Sequence, residues 1–139
     1  MIAGPSEQRN PYKGSPQRAS VRLRLATPAG TTHEVELLAD TGSPCALLLS
    51  EAATVRLKQR AAPDVNTNFG LLQGGWFHVA MAELGVDQDL VGYTSDAVVT
   101  ATKASSPDFE GLAGLPLLRL FEYGGDADWF WLRRVQRQP

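Results

Sequence analysis

The chain has a single cysteine, Cys45, among its 139 residues. An intramolecular disulfide and a thiolate metal cluster are therefore excluded. No run approaches the ~20 apolar residues of a membrane-spanning helix, and the first residues lack the apolar core of a secretory leader. No membrane partner is expected, and the default location is cytoplasmic. Basic charge is not in excess either: the formal net charge is −2, and small basic groups occur over Arg56 to Arg60 and Arg133 to Arg137. A nucleic-acid footprint needs a concentrated basic face, so nucleic acid is not an expected partner, and these short groups are expected to be solvated. A Walker-type phosphate loop, a Gly-x-Ser-x-Gly elbow and a His-Glu-x-x-His motif are all absent, which removes the enzyme classes built on them. His33 and His78 stand at no metal-ligand spacing and are expected to be surface or hydrogen-bonded residues. Neither a metal nor a cofactor is expected.

What is present suits one ordinary domain. Hydrophobic residues make up 43% of the chain and charged residues 20%, proportions that allow a buried core rather than disorder. Residues 1–20, rich in Pro, Gly, Ser and charge, show almost no apolar periodicity and are expected to form a flexible tail. The domain is expected over 21–135, with a short C-terminal tail over 136–139.

Val21, Leu23 and Leu25 alternate with Arg22 and Arg24, the chain turns through Pro28 to Gly30, and Val35, Leu37 and Ala39 lead back. Period two on both sides of a Pro/Gly turn predicts a β-hairpin and puts Asp40 at the end of its second strand. A short buried strand is expected over Cys45 to Leu49, after which Ser50 caps a brief helix through Glu51, Ala52, Ala53, Val55 and Leu57. In VNTNFGLLQGGWFHVAMAEL, two β-like arms flank Gly74-Gly75, which predicts a second hairpin turning there. Strands are expected around Leu90 to Tyr93 and Ala97 to Ala101, then a loop from Lys103 to Glu110. A short helix opened by Pro116, a turn at Gly124-Gly125 and a final strand from Trp129 to Arg133 complete the chain. No internal repeat is present. The fold class is all-β: a small barrel, closed or nearly so, with one or two short helices.

In VELLADTGSPCALLLS, Val35 to Ser50, one acid ends an apolar run. Burying an unpaired carboxylate is costly, so Asp40 is either an ordinary turn acid or a group that meets a partner. An isolated Asp-Thr-Gly decides little, because roughly a few per cent of chains this long carry one by chance at average residue usage. Here, however, it follows an apolar strand and precedes a second apolar stretch. Downstream come the Gly74-Gly75 segment and then Leu112-Ala113-Gly114 ahead of a short helix.

That ordered set resembles the retropepsin-like, or retroviral-type, aspartic proteases, from about Val21 to Leu132. Asp40, Thr41 and Gly42 match the family's catalytic loop, with Ser43 in the small position that follows. Gly74, Gly75 and Trp76 resemble its glycine-rich flap with an aromatic residue. Leu112-Ala113-Gly114 before Leu117-Leu118-Arg119 resembles the apolar pair and Gly ahead of its C-terminal helix. The resemblance implies an aspartic endopeptidase acting on peptide or protein substrates. Asp40 would be the general acid and base, Thr41 would brace two loops, and Gly42 would let substrate approach. Ser43, Gln73, Gly74, Gly75, Trp76 and Phe77 would contact or cover the substrate. One chain carries one Asp-Thr-Gly, so the resemblance also implies a homodimer in which Asp40 faces its symmetry mate and the two share a proton.

Three departures stand out. Pro44 and Leu115 occupy the positions where retroviral members place an acid and an Arg that pair near the dimer interface. Leu71, Leu72 and Gln73 replace a more glycine-rich flap, which predicts a stiffer one. A non-catalytic dimerisation or peptide-binding module is the alternative function, and half of a longer protease is a third. A Cys45 nucleophile served by His33 or His78 also stays open, because such partners meet in space rather than in sequence. Trp76 and Phe77 are open to a plain core role, and Trp129 and Trp131 are expected to pack in the core or at an interface.

Overall fold

The computed structural model describes residues 7–68, 70–102 and 109–136. The first hairpin forms as its alternation requires: β2 (Ser20–Ala26) and β3 (Thr32–Asp40) bury Val21, Leu23, Leu25, Val35 and Leu37. Their other faces set Arg22 opposite Glu36 and Arg24 opposite Glu34, while the side chains bind elsewhere, Glu36 to Lys13, Arg24 to Glu83 and Arg22 to Asn10. Before β2, the chain forms β1 (Glu7–Pro11), and after β3 come β4 (Leu47–Leu49) and α1 (Glu51–Leu57). Ser50 caps α1 by accepting a hydrogen bond from the Ala53 backbone N–H, as its side chain and position predict.

β5 (Arg60–Thr67) and β6 (Gly70–Met81) form a long hairpin; a single 3-10 turn (Ala82–Leu84) leads into β7 (Val86–Thr94) and then α2 (Asp96–Thr102). The chain ends with β8 (Gly111–Gly114), α3 (Leu115–Leu118), β9 (Glu122–Gly125) and β10 (Trp129–Arg133). Strands pair in the order β2-β3-β8-β4-β7-β6, and β6 pairs back onto β2 through Leu25 with Val79 and Ala26 with His78. The result is an all-β closed barrel of six strands, with β5 hung on the outside of β6. Closure leaves no free edge in the ring. It also encloses a core in which Leu23, Leu25, Leu47, Leu49, Phe77 and Val79 are fully shielded. No helix among the described residues is long and apolar enough to cross a membrane.

A second, three-stranded antiparallel sheet, β1-β10-β9, lies against the barrel through Tyr123, Phe130 and Leu132. Its first strand corrects the expectation of a tail over 1–20. Glu7 to Pro11 pair with Arg133 to Trp129, Asn10 is buried, and Gln8 exchanges two hydrogen bonds with the Arg22 main chain. Polar side chains can be buried when they are hydrogen-bonded, so this strand is held without the apolar alternation that marks the others. Residues 1–6 lie outside the described residues, as do 137–139 of the expected C-terminal tail.

Two further expectations change. Ala97 to Ala101 belong to α2 rather than to a strand; Val98 and Val99 gave the segment a strand-like composition, but the Ser95 side chain accepts the Val98 N–H and starts a helix. Gly124 and Gly125 belong to β9, and the turn lies one step later, where Asp126 Oδ1 accepts the N–H groups of Asp128 and Trp129. The expected loop from Lys103 falls largely outside the described residues.

Candidate functional site

Asp40 is the last residue of β3, which runs parallel to β8 with Leu38 beside Leu112, Ala39 beside Ala113 and Asp40 beside Gly114. The Asp-Thr-Gly and the downstream apolar-Gly segment are therefore strand neighbours. A Cβ on Gly114 would stand 1.8 Å from the Cys45 carbonyl oxygen and 2.9 Å from that of Ser43, so only glycine lets the loop after Asp40 cross here. That loop is held by main-chain bonds. Ser43 N donates to Asp40 O at 3.1 Å, Gly114 N to Ala46 O at 2.9 Å and Leu115 N to Ser43 O at 3.2 Å. Gly42 N donates to Asp40 Oδ1 at 3.0 Å, and Ser43 Oγ donates to Cys45 O at 3.2 Å.

Asp40, Ser43 and Cys45 are half-buried, while Thr41, Gly42 and Pro44 are exposed. Within one chain the acid is thus carried to the surface at the strand end, and the hydrophobic residues on either side bury themselves without burying it. It opens onto a cavity of about 380 Å³, within the size range of small-ligand pockets. The walls are Leu48 and Leu112 from the barrel, Val98 from α2, and Thr67, Asn68 and Leu72 from the β5–β6 hairpin. Among the described residues, Asp40 is the one acid lining it. A second cavity, about 490 Å³, shares Pro44, Cys45 and Thr67 with the first and adds Val65, Val91 and Tyr93.

The hairpin over the cavity does not turn at Gly74-Gly75. Both glycines sit inside β6, paired on one side with Ala62 and Ala61 and on the other with Tyr93 and Gly92. The turn lies between Thr67 and Gly70, where Gly70 has φ +96° and Thr67 Oγ1 donates to Gly70 O at 3.0 Å. The glycine pair serves close approach instead. A Cβ on Gly74 would stand 2.2 Å from Pro63 O, at a bulge between Ala62 and Val65 where Asp64 Oδ1 accepts the Gly74 N–H.

This shift of the turn moves the expected covering residues off the site. Gln73 is exposed, Trp76 lies under the Arg60 guanidinium at 4.8 Å, and Phe77 is fully buried in the core. None of Gln73, Gly74, Gly75, Trp76 and Phe77 lines the Asp40 cavity, whereas Ser43 and Gly42 do. Sequence reasoning missed Thr67, Asn68 and Leu72. The signal that could have found them is Asn68-Phe69-Gly70, whose Asn and Gly favour the turn conformation more directly than Gly-Gly does.

Cys45 has no histidine partner in the structure. His33 lies seven residues back along β3 from Asp40, about 23 Å at ~3.3 Å per residue, and His78 is engaged by Asp87 and Asp89. Burial pushes the Cys45 thiol above its ordinary range, opposite to what a thiolate nucleophile needs. Among the described residues, no group of three or more His, Cys, Asp or Glu side chains could hold a metal ion. Compared with known proteins, the chain matches no family model, no curated protein and no solved structure.

Proposed function

We propose that the chain is one subunit of a homodimeric aspartic endopeptidase of the retropepsin-like kind. The observation that carries this reading is the placement of Asp40. Half-buried on a loop whose Thr41 and Gly42 are exposed, it is the one acid among the described residues lining an apolar cavity walled in part by the β5–β6 hairpin. Peptide hydrolysis without a metal needs one group to take a proton from water while another gives one to the carbonyl oxygen or leaving nitrogen. Two carboxylates sharing one proton do both, exchanging roles as the reaction proceeds. A single chain supplies one of them. A two-fold axis passing beside the loop would bring Asp40 of a second subunit opposite the first, because an isologous interface sets each residue near its own mate.

The exposed Thr41, Gly42 and Pro44 leave that face of the loop open to such a partner. The ion pair expected of a retroviral member is replaced by the main-chain bond from Leu115 N to Ser43 O, which ties the same two segments without charge. A peptide would lie extended between the loop and the hairpin, pairing its backbone in β fashion, with an apolar side chain against Leu48, Leu72, Val98 and Leu112. Thr67 and Asn68 supply the polar groups of the hairpin tip.

Cleavage is expected to be favoured at acid pH, where the pair holds its single proton. Asp40→Asn should lower peptide turnover by about a hundredfold or more, the scale of a lost general acid or base, while leaving the fold intact by circular dichroism. Full activity in that variant would rule the reading out. The alternative, a non-catalytic peptide-binding or dimerisation module, is favoured by the burial of Leu72 against Leu48 and Leu112, which shuts the hairpin onto the cavity wall. A wild-type dimer that binds peptide without turnover at any acid pH would support the module.

A further inference from the structure

On the outer face of the barrel, the imidazole of His78 is held at both nitrogens. Nδ1 lies 2.7 Å from Asp89 Oδ1, and Nε2 lies 2.6 Å from Asp87 Oδ1. Both acids stand on β7, where His78 is directly opposite Asp89. An ionised carboxylate only accepts hydrogen bonds, so each contact requires an N–H on the ring, and only the imidazolium carries two. A neutral ring has one, and its bare nitrogen would then face a carboxylate oxygen, lone pair against lone pair.

The surroundings make the position consequential. His78 also pairs with Ala26 of β2, in the two-pair joint that closes the barrel. From β5, Arg60 Nη1 reaches Asp89 Oδ2 at 3.5 Å. From β2, Arg24 stands diagonally across, bound to the Glu83 carboxylate and to Ala80 O. Asp89 therefore keeps a cation when His78 loses its proton, whereas Asp87 has no other cation at its carboxylate among the described residues.

We infer that His78 is a proton-operated fastener of the barrel: charged, it ties β6 to β7 at two points beside the β2–β6 joint, and on deprotonation it releases Asp87 and loosens that joint. The shift in its acidity agrees, since the hydrogen bonds it donates, first to Asp89 and then to Asp87, hold His78 above its ordinary range, and the Asp89 carboxyl is lowered chiefly by His78. A group whose pKa is raised by folding stabilises the fold fully below its unfolded value, ~6.5 for histidine, and loses that contribution as pH rises through the raised value. β6 also runs from the hairpin over the Asp40 cavity to this point, and the fastened state holds at every pH below the raised value. The device is a property of the fold and does not rest on the proposed activity.

Two measurements test it. The ring of His78, followed by NMR, should titrate above the ~6.5 of an ordinary histidine. The unfolding temperature of the wild-type protein should fall, relative to His78→Gln, by on the order of 2 to 4 °C between pH 6 and pH 9, the size expected of partly exposed pairs in a domain of this length. Parallel unfolding curves, or a His78 midpoint at or below ~6.5, would overturn the inference. Should His78→Gln fail to fold, Asp87→Asn serves in its place: it removes one tie, and the His78 midpoint should drop toward the ordinary histidine value, ~6.5. An unchanged midpoint in that variant would count against the fastener just as firmly.

Discussion

Cys45 illustrates how a single residue is decided by its surroundings. It stands in the wall shared by both cavities, five positions after Asp40, yet burial raises its thiol above the ordinary range and leaves little thiolate at neutral pH. Iodoacetamide should therefore modify it more slowly than free glutathione at pH 7.5, with the rate climbing as pH passes 9, as followed by intact mass. Modification faster than glutathione would mean an activated thiol and would contradict the structure. Asp40 tells a complementary story. The acid and its Thr-Gly sequel were legible in the chain, because a carboxylate at the end of an apolar strand is unusual wherever it occurs. Its half-exposure was not, because the depth of a strand end depends on what crosses it, and here Gly114 brings only a thin backbone crossing.

Among the elements, the β5–β6 hairpin carries most of the functional argument. β6 pairs with β7 from Gln73 opposite Thr94 to Met81 opposite Val86. Val65–Thr67 and Gly70–Leu72 therefore extend past β7 as a ribbon paired only with itself. The bulge at Pro63 and Asp64 and the glycine at 74 mark where the ribbon leaves the barrel. Gly74→Ala would push a methyl group into Pro63 O and should cost about 1 to 3 kcal/mol, the usual penalty of overpacking. The midpoint of denaturant unfolding checks this, and an unchanged midpoint would show that the bulge yields freely. In sequence, two glycines between β-like arms spell a turn as readily as a close crossing, since both demand a missing side chain. α2 was hidden for a related reason: its valines favour strands, and the Ser95 cap that starts it acts through geometry rather than composition.

For the whole molecule, the question is how two copies would meet. The terminal strands β1 and β10 pair with each other inside one chain, and in the proposed dimer the two-fold contact would begin at the exposed face of the Asp40 loop. A stable interface buries roughly 1,200–2,000 Å² in total, so the dimer of the proposed reading would need surface beyond that loop. If the proposed shared site is right, sedimentation should show the average mass rising with concentration, and specific activity should rise with it. Activity independent of concentration in a strictly monomeric sample would refute the shared-site reading.

The amino-acid sequence by itself determined the fold class, the first hairpin, the capped helix after Ser50, the helix opened by Pro116 and the last strand. Each follows from local periodicity or from a capping or proline residue acting within a few positions of itself. Only the tertiary structure decided that the N-terminal segment forms a strand, that the glycine pair lies inside a strand, and that Thr67, Asn68 and Leu72 rather than Gln73 to Phe77 overhang the acid. Those outcomes depend on which backbones cross and which distant strands pair, and contacts of that range leave no period in the chain that makes them.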